Sequence, residues 1–341
     1  MARTVRADAV CLGESMVTFL PTTPGPLAEV PAFERSIGGA ESNVACTLAR
    51  AGHPTRWVSR VGADGFGDHL VAAVAATGVD TAHVVRDPDR PTGVYFRTRG
   101  ERATVSGERA AGEVAYYRAG SAASAMSPQT VGLAAADAGR VLHLTGITAA
   151  LSRGCLDLLR TLTAPRPGRP TVAFDVNYRV GLWRSAAEAR VLLDLARGCD
   201  LVFAGEDEAE AAWGVTGGPA AVRAALPEPA ALVVKQGALG ATAFGHGGAV
   251  HVPAPRVDVV AHVGAGDAFA AGYLSATLRG LSVRDRLRHG HLLAAAALTV
   301  PGDLAEPPAR EHADRLAALP DDAWARLRLA PGWTAQETAV P

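Results

Sequence analysis

Short apolar runs alternate with helical patterns along most of the chain. Residues 9–13 form an apolar run that ends in glycine, which predicts a buried first strand. Further strands are predicted at Arg56–Val61, Val141–Leu144, Thr171–Asp175, Leu201–Phe203 and Ala231–Lys235. Strands that alternate with helices over this length predict an α/β fold with three layers, α/β/α, and a mainly parallel central sheet.

One region interrupts this alternation. Thr92–Thr98 and Glu113–Arg118 carry strand-type residues, with a polar stretch between them. Residues 18–36 contain four prolines and no helical period, so they are predicted to be loop or short edge strands. Together, residues of about 15–36 and 91–118 predict a small antiparallel β lid outside the main sheet.

No internal repeat or low-complexity run divides the chain. Residues 1–318 are therefore predicted to form one domain, and residues 319–341, which include Pro331 and Pro341, to form a loosely packed C-terminal tail. The 341 residues are 48% hydrophobic and 20% charged, as in an ordinary globular protein. The net charge of −1 gives no general attraction to nucleic acid or to an anionic membrane, so neither is expected as a partner.

The cysteines and the apolar runs favour a cytoplasmic location. The four cysteines are widely scattered and form no CxxC pair, which is typical of buried thiols in a reducing compartment. The N-terminus has no long apolar region, and no run of 18 apolar residues occurs elsewhere. Neither secretion nor a membrane span is expected.

The stretch from Val263 to Gly272 is the main candidate for chemistry. Gly264, Ala265 and Gly266 precede Asp267, which opens a segment of small apolar residues that predicts a buried helix through Leu278. Such a turn leaves backbone N–H groups unpaired at a helix N-terminus, where the helix dipole also favours negative charge. We therefore expect an anion hole at this turn.

Asp267 itself has two interpretations. A carboxylate beside a bound phosphate would repel it unless the carboxylate has a task there, and removing a proton from a nearby hydroxyl is such a task. Asp267 is therefore the candidate general base. In the alternative interpretation it only caps the helix, because aspartate is a preferred N-cap residue.

Polar residues follow several of the predicted parallel strands, where active sites of such sheets lie. They are Asp175–Arg179, Glu206–Glu208 and Lys235–Gly237. Lys235 is also the single lysine among 33 basic residues, which makes it a candidate site residue or a chance survivor of a compositional bias.

The order of these segments resembles the ribokinase-like (PfkB) carbohydrate kinases. The segment from Gly38 to Asn43 is similar to the family's N-terminal signature, and Val263–Gly272 is similar to its C-terminal one. The resemblance covers residues 9 to about 318. It implies a ribokinase-like fold, a kinase activity, and ATP with Mg²⁺ as cofactors.

Within the family, the segments Tyr116–Ser124, Leu144–Thr148 and Phe174–Arg179 resemble those of 2-keto-3-deoxygluconate kinases. This likeness implies transfer of the γ-phosphate of ATP to the terminal hydroxyl of that sugar acid. The implied substrate contacts are Gly39, Ala40, Glu41, Ser42, Asn43, Tyr95, Tyr116, Arg118, Ile147, Arg179 and Asp303.

The chemistry of these side chains suits a sugar acid. Arginine binds a carboxylate through two parallel charge-assisted hydrogen bonds, so Arg118 and Arg179 are candidates for the substrate carboxylate. Tyr95 and Tyr116 can each offer a flat apolar face and a hydroxyl to a sugar. Without the resemblance, these residues would be interpreted as surface charges and half-buried sheet residues.

The resemblance also implies a nucleotide site. The expected ATP contacts are Asn177, Lys235, Gln236, Gly237, Ala238, Leu239, Gly240 and His291. His291 can equally be a satisfied core histidine. Magnesium is expected to bridge the phosphates through waters, with Glu208 as an indirect ligand.

Two segments depart from the family pattern. The family commonly has an Asn-x-x-Glu element, and here the matching run is Gly205–Glu208, in which glycine replaces the asparagine. The segment before the anion turn is commonly Asp-Thr-Thr, and here it is Ala261–Val263. That region often forms a monovalent-cation loop, so potassium activation stays an open question.

Other functions stay open at this point. A kinase for fructose, ribose or another keto-deoxy acid is one alternative, and a catalytically weak sugar-acid-binding regulatory protein is another. A dinucleotide dehydrogenase is disfavoured because its glycine fingerprint follows the first strand, whereas Gly264 and Gly266 lie in the last quarter of the chain. The exposed edges of the predicted lid favour a homodimer or a higher homo-oligomer.

Overall fold

The computed structural model describes residues 7–98 and 113–335. Within these residues the chain forms fifteen strands. In chain order they are β1 Ala7–Leu12, β2 Met16–Pro21, β3 Phe33–Gly38, β4 Thr55–Gly62, β5 Val84–Asp87, β6 Val94–Arg97, β7 Val114–Tyr117, β8 Gly139–Thr145, β9 Thr171–Asp175, β10 Leu201–Gly205, β11 Ala231–Lys235, β12 Ala241–Gly245, β13 Gly248–Val252, β14 Arg256–Val257 and β15 Arg328–Leu329.

The same part of the chain forms thirteen α-helices. They are α1 Ala40–Arg50, α2 Gly65–Ala75, α3 Leu133–Ala136, α4 Gly146–Leu151, α5 Arg153–Thr163, α6 Ala186–Ala189, α7 Val191–Arg197, α8 Glu206–Trp213, α9 Gly218–Ala225, α10 Ala265–Leu278, α11 Val283–Leu298, α12 Arg310–Ala317 and α13 Asp321–Arg326. Single 3₁₀ turns lie at Ala123–Ala125, Val180–Leu182 and Gly237–Leu239.

Nine strands form the central sheet, in the order β13-β12-β11-β10-β9-β8-β1-β4-β5. All neighbours are parallel except β11, β12 and β13, which pair antiparallel at one edge. Strand β1 lies between β4 and β8. From β1 the sheet extends on one side through β4 to β5, and on the other side through β8 to β13. This reversal of strand order leaves a crevice at the carboxyl ends of the strands, where ligands of such sheets bind.

Helices cover both faces of the central sheet, and each face has its own hydrophobic core. Successive residues of β1 show the division, because Ala9 and Cys11 belong to one core and Val10 and Leu12 to the other. Side chains alternate between the faces of a strand, and a parallel sheet buried on both faces reads as a continuous apolar run. The predicted three-layer α/β/α fold with a mainly parallel sheet is confirmed.

A second sheet of four strands, in the order β3-β2-β6-β7, forms the lid. Strand β2 pairs antiparallel with β3, and β6 pairs antiparallel with β7. The central pair, β2 with β6, is parallel, since the chain passes through the main sheet between them. The part of the predicted lid at residues 99–112 lies outside the described residues. Strands β3 and β7 are the edges of the lid, and the expected dimer stays a prediction.

The loosely packed tail expected from residue 319 onward is wrong for the residues described there. Helix α13 follows directly, and β15 pairs in parallel with β14. Trp324 and Leu329 are almost fully buried, and the indole N–H of Trp324 donates to the carbonyl of Pro253 at 2.8 Å. Prolines suggested an unstructured end, but apolar side chains between them complete the core beside α11 and α12. Residues 336–341 lie outside the described part.

Across the described residues, none of the helices combines the length and the apolarity that crossing a bilayer requires.

Replacing Trp324 with alanine should destabilise the whole domain. The indole is 1% exposed, and the guanidinium of Arg288 lies 4.6 Å from its ring centroid. We expect the free energy of unfolding, measured by urea denaturation, to fall by roughly 3–5 kcal/mol. Leu239→Ala is the control, because that side chain is 72% exposed and its loss should change stability by less than about 0.5 kcal/mol. Wild-type stability in the Trp324 variant would show that this segment is not part of the core.

Candidate active site

A cavity of about 270 Å³ opens at the carboxyl ends of the central strands, under the lid. It brings together residues from both sheets and from three quarters of the chain. The predicted site residues that line it are Gly39, Ala40, Asn43, Tyr95, Tyr116, Arg118, Ile147, Asn177, Arg179, Glu208, Lys235, Gly264, Gly266, Asp267 and Asp303.

The predicted anion turn forms one wall of the cavity. Gly264 is the N-cap of α10 and has a φ of +76°, a region that favours glycine. A Cβ at this position would also overlap the carbonyl of Asp303. No side chain caps the helix. The N–H groups of its first turn, from Ala265 onward, have no acceptor within the helix, so the turn presents donors and the positive end of the helix dipole to the cavity.

Asp267 is the third residue of α10 and does not cap it. Its Oδ2 accepts from the amide of Asn43 at 2.9 Å, and its Oδ1 accepts more weakly from the amide of Asn177 at 3.4 Å. Asn177 holds this position with a φ of +41°, which asparagine tolerates better than most residues. Two amides thus orient the carboxylate toward the cavity instead of toward its own backbone, which favours the general-base interpretation over the capping one.

Burial raises the pKa of Asp267 to about 7. The hydrogen bond from Asn43 opposes this rise, and the nearby Asp175 carboxylate adds to it. A general base works best when its pKa lies near the working pH, because it is then ionised often enough and still binds a proton well. The environment of Asp267 therefore suits proton removal at neutral pH.

Lys235 places a positive charge beside the anion turn. It ends β11, and its Nζ donates to both carboxylate oxygens of Asp175, at the end of β9, at 2.9 Å each. The same Nζ lies 3.7 Å from the position that a Cβ on Gly266 would occupy. Burial alone would lower the pKa of Lys235, but the carboxylates of Asp175 and Glu208 raise it above its ordinary value. The lysine therefore stays charged next to the N–H groups of the turn.

Glu208 closes the same end of the cavity. Its Oε2 accepts from the backbone N–H of Gly205 at 2.7 Å and so caps α8, and its Oε1 lies 3.5 Å from Nη1 of Arg179. Gly205, which stands where the family commonly has asparagine, offers no side chain. The glutamate is therefore kept in place without that asparagine.

The lid supplies the opposite end of the cavity through two buried ion pairs. Arg118 pairs with Glu14, which follows β1 and also accepts from the hydroxyl of Ser121 at 2.8 Å. Arg97 donates from Nη2 to Oδ1 of Asp303 at 2.8 Å. Each of these guanidinium groups thus joins the lid to the body of the protein.

Sequence reasoning missed Arg97 and Glu14. Arg97 lies two residues after Tyr95 on the same lid strand, so both point to the same face, and the alternation of side chains along a strand could have indicated it. Glu14 follows the first strand in the way that the other polar candidates follow theirs. Asp175 was noticed as a polar strand end but not assigned to a role.

Two predicted substrate contacts do not reach the cavity. Glu41 is fully buried and accepts from the hydroxyls of Thr145 and Thr148, and Ser42 donates to Ser15 and to the carbonyl of Gly39. The assignment of Glu41 and Ser42 to the sugar is therefore corrected. The reason is helical geometry: Ala40 and Asn43 are three residues apart and share a face of α1, and the residues between them point elsewhere.

The predicted nucleotide segment after Lys235 lies beside the cavity and not in its wall. Gln236 donates to Glu206 at 2.9 Å, and the residues Gly237, Ala238 and Leu239 form an exposed 3₁₀ turn that leads through Gly240 into β12. Residues 237–239 are exposed to solvent at the carboxyl end of β11. Their role in binding ATP stays a prediction.

His291 is a core residue in the structure. Its Nε2 lies 3.1 Å from the carbonyl oxygen of Val252, its ring meets Phe269 edge to face, and only 6% of it is exposed. Burial lowers its pKa to about 4, so it is neutral. The alternative of a satisfied core histidine is the one that the packing favours, and the cavity is lined without it.

The described part of the chain contains no group of three or more histidine, cysteine, aspartate or glutamate side chains placed to hold a metal ion. The carboxylates nearest the turn already have protein partners: Asp175 pairs with Lys235, and Asp267 accepts from two amides. This donor set fits a cation that is carried by phosphates and reached through water.

Comparison with known proteins identifies the family. The model of the pfkB family carbohydrate kinases matches residues 6–310. The chain is 35% identical to 2-dehydro-3-deoxygluconokinase of Bacillus subtilis, over 90% of this chain and 94% of that protein. It is 30% identical to 2-dehydro-3-deoxygalactonokinase of Haloferax volcanii, over 88% of this chain and 93% of that one. The chain belongs to the pfkB family and is a carbohydrate kinase.

Solved structures agree with this assignment. A PfkB protein from Polaromonas sp. JS666 superimposes with a TM-score of 0.78 at 35% identity, covering 87% of this chain and 97% of that one. An uncharacterized sugar kinase from Pyrococcus horikoshii, solved in complex with ATP, superimposes with a TM-score of 0.75 at 25% identity, covering 88% and 95%. The ribokinase-like fold expected from the sequence is confirmed.

The pKa of Asp267 predicts an acid limb in the activity profile. Below about pH 7 the carboxyl becomes protonated and cannot accept a proton, so kcat/KM should fall with decreasing pH through this region. Asp267→Asn should lower kcat by roughly 10²–10⁴-fold and abolish the limb. Steady-state rates between pH 5 and 9 test this, and a profile of the wild type that stays flat across pH 7 would contradict the assignment.

The variant Glu41→Gln should distinguish the role of the Glu41 carboxyl from that of the Asp267 carboxyl. Burial raises the pKa of Glu41 from 4.5 to about 7, so the folded protein keeps a proton that the unfolded chain releases. This contribution to stability is complete below the unfolded pKa and is lost as pH rises through about 7. The variant should therefore gain stability relative to the wild type as pH rises over that range, measured by urea denaturation. Its sugar KM and the acid limb should stay unchanged, whereas a large rise in sugar KM would restore Glu41 as a substrate contact.

Proposed function

We propose that this kinase transfers the γ-phosphate of ATP to the terminal hydroxyl of 2-keto-3-deoxygluconate, also called 2-dehydro-3-deoxygluconate. One observation carries the proposal: a single cavity holds a carboxylate suited to proton removal, Asp267, and an arginine from the lid, Arg118, with the anion turn between the strands and the lid. The names of the relatives support the choice of a keto-deoxy sugar acid.

The proposed reaction is a direct transfer. Asp267 takes the proton from the sugar hydroxyl, whose oxygen attacks the γ-phosphorus in line while the bond to the leaving ADP oxygen breaks. The N–H groups of the turn at Gly264–Asp267 then donate to the phosphoryl oxygens as negative charge develops on them. Lys235 supplies a full positive charge at the same place, because Asp175 holds its ammonium beside Gly266.

The lid end of the cavity suits the rest of the sugar acid. Arg118 is 11% exposed and keeps donors beyond its pair with Glu14, so it can bind the substrate carboxylate. The rings of Tyr95 and Tyr116 lie on the lid face toward the cavity, with their centroids 5.4 Å apart and their planes tilted by 32°. Their rings offer an apolar surface to the sugar. Arg179, at the opposite side, lies closer to Glu208 and is placed for phosphate oxygens or for the carboxylate.

The proposed nucleotide site extends from Lys235 toward the turn that follows it. Magnesium bound to the phosphates would supply further positive charge at the leaving group. Glu208 would reach it through water, and Asn177 would line the same side. The lid over the sugar would exclude water that could otherwise accept the phosphoryl group.

The alternative functions, a binding protein or a kinase for another sugar, would need different parts of the site. A binding protein without catalysis has no use for a carboxylate whose pKa lies near 7, so the surroundings of Asp267 favour an enzyme. Kinases for a galactonate-type acid, fructose or ribose would share the anion turn and differ at the lid end. The arginine there favours an acid over a neutral sugar.

Release of ADP from MgATP should show this preference. We expect turnover with 2-keto-3-deoxygluconate and much less with fructose or ribose, and Asp267→Asn should lower kcat for the sugar acid by roughly 10²–10⁴-fold. Arg118→Met should lower kcat/KM for the sugar acid by roughly 10²-fold, since one charge-assisted pair is lost, and leave the KM for ATP unchanged. Equal or better turnover of a neutral sugar by the wild type would overturn the sugar-acid assignment. Tight binding of the acid without turnover would indicate a binding protein.

A further inference from the structure

Arg97 is a buried arginine that neither the motifs nor the proposed reaction uses. It lies on lid strand β6, its side chain is 3% exposed, and its Nη2 donates to Oδ1 of Asp303 at 2.8 Å. The Asp303 side chain is 4% exposed, so both charges of the pair lie out of bulk water. Nε and Nη1 of Arg97 have no hydrogen-bond partner among the described residues. Such a pair is costly to bury, which indicates a task beyond stability.

Asp303 has a second partner from the same strand. The hydroxyl of Tyr95 donates to its Oδ2 at 2.7 Å, so each carboxylate oxygen accepts from one lid residue. An ionised carboxylate offers about four acceptor positions, and two therefore remain for a ligand. Gly38 makes this arrangement possible, because a Cβ there would overlap both the Tyr95 hydroxyl and the Asp303 carboxylate.

The backbone of Asp303 contacts the anion turn. Its carbonyl lies directly against Gly264, where even a Cβ would overlap it. The side chain of Asp303 therefore joins the lid, and its main chain supports the first residue of α10. Arg97 also approaches the carbonyl of Pro301, at 3.5 Å. Residues 301–303 thus link the lid to the place where phosphate is expected.

The charge of the proposed substrate makes this link necessary. A buried carboxylate at the sugar end would repel an anionic sugar acid, and burial raises the pKa of Asp303 above its ordinary value, although the Arg97 guanidinium and the Tyr95 hydroxyl lower it. The guanidinium opposes both effects. It cancels the charge locally and keeps the carboxylate an acceptor for sugar hydroxyls.

We propose that Arg97 is a positioning residue of the sugar site, which orients the Asp303 carboxylate and through it fixes Tyr95 and the anion turn. This inference rests on the proposed function, because it takes the lid end of the cavity as the sugar site. Arg97 acts through Asp303, because the one side chain among the described residues to which its guanidinium donates is that carboxylate, at 2.8 Å.

The test compares Arg97→Met and Arg97→Lys with Arg60→Met. Arg60 forms a similar pair with the buried Asp87, at 2.8 Å, away from the cavity. We expect Arg97→Met to lower the sugar kcat/KM by roughly 10²-fold through misplacement of Asp303, with the KM for ATP unchanged. Arg97→Lys should retain an intermediate value, and Arg60→Met should match the wild type. The inference would be overturned if Arg97→Met had the same kcat/KM for the sugar as the wild type. It would also be overturned if the variant lost as much kcat/KM for ATP as for the sugar.

A double-variant cycle separates positioning from general destabilisation. Tyr95→Phe removes the other donor to Asp303, so its effect on sugar kcat/KM should not add to that of Arg97→Met if both act through that carboxylate. Full additivity would show that Arg97 acts independently and would count against the proposal. If the wild type turns over none of the sugars, the proposed function fails. Calorimetry of sugar-acid binding then still tests Arg97: weaker binding in Arg97→Met than in Arg60→Met supports the inference, and equal binding overturns it.

Discussion

Negative charge is the constraint on which this site depends. A kinase brings phosphates into a cavity that is lined here by Glu14, Glu208, Asp267 and Asp303. The protein meets this constraint by giving nearly every carboxylate a donor of its own. Arg118 serves Glu14, Arg97 serves Asp303, Arg179 lies beside Glu208, and Lys235 holds Asp175 behind them. Asp267 receives only the neutral amides of Asn43 and Asn177, and burial raises its pKa to about 7.

The two sheets divide the remaining tasks. The ends of the parallel strands form the floor together with the start of α10, which is tied into one of the cores from Ala268 onward. The lid contributes Tyr95, Arg97 and Tyr116 from the face of two short strands. Beside the cavity, Phe19 of the lid packs edge to face on Phe66 of α2, and at the cavity itself the lid meets the floor at the ion pairs Arg118–Glu14 and Arg97–Asp303. Such contacts are directional, which allows the sugar end to be specific in shape and charge.

Two departures from the family pattern have different consequences. The missing asparagine at Gly205 leaves Glu208 in place, because the backbone N–H of that glycine now fixes the carboxylate. The change from Asp-Thr-Thr to Ala261–Val263 removes a carboxylate next to the anion turn, and His262 and Val263 line the cavity there. The carboxylate of Asp267 and the donors of the turn are unaffected by either change.

Local pattern in the sequence was enough for the fold class, the anion turn and most of the cavity. Runs of alternating strands and helices determine a layered sheet, and the glycines before Asp267 determine a helix start with free N–H groups. The tertiary structure alone decided which residues meet. Arg97 pairs with Asp303, 206 positions away, Glu41 turns from the cavity into the core, and the C-terminal residues dock around Trp324. Spacing along a chain encodes the periodicity of one element, whereas partners from distant elements are set by how those elements pack, and that depends on the whole core.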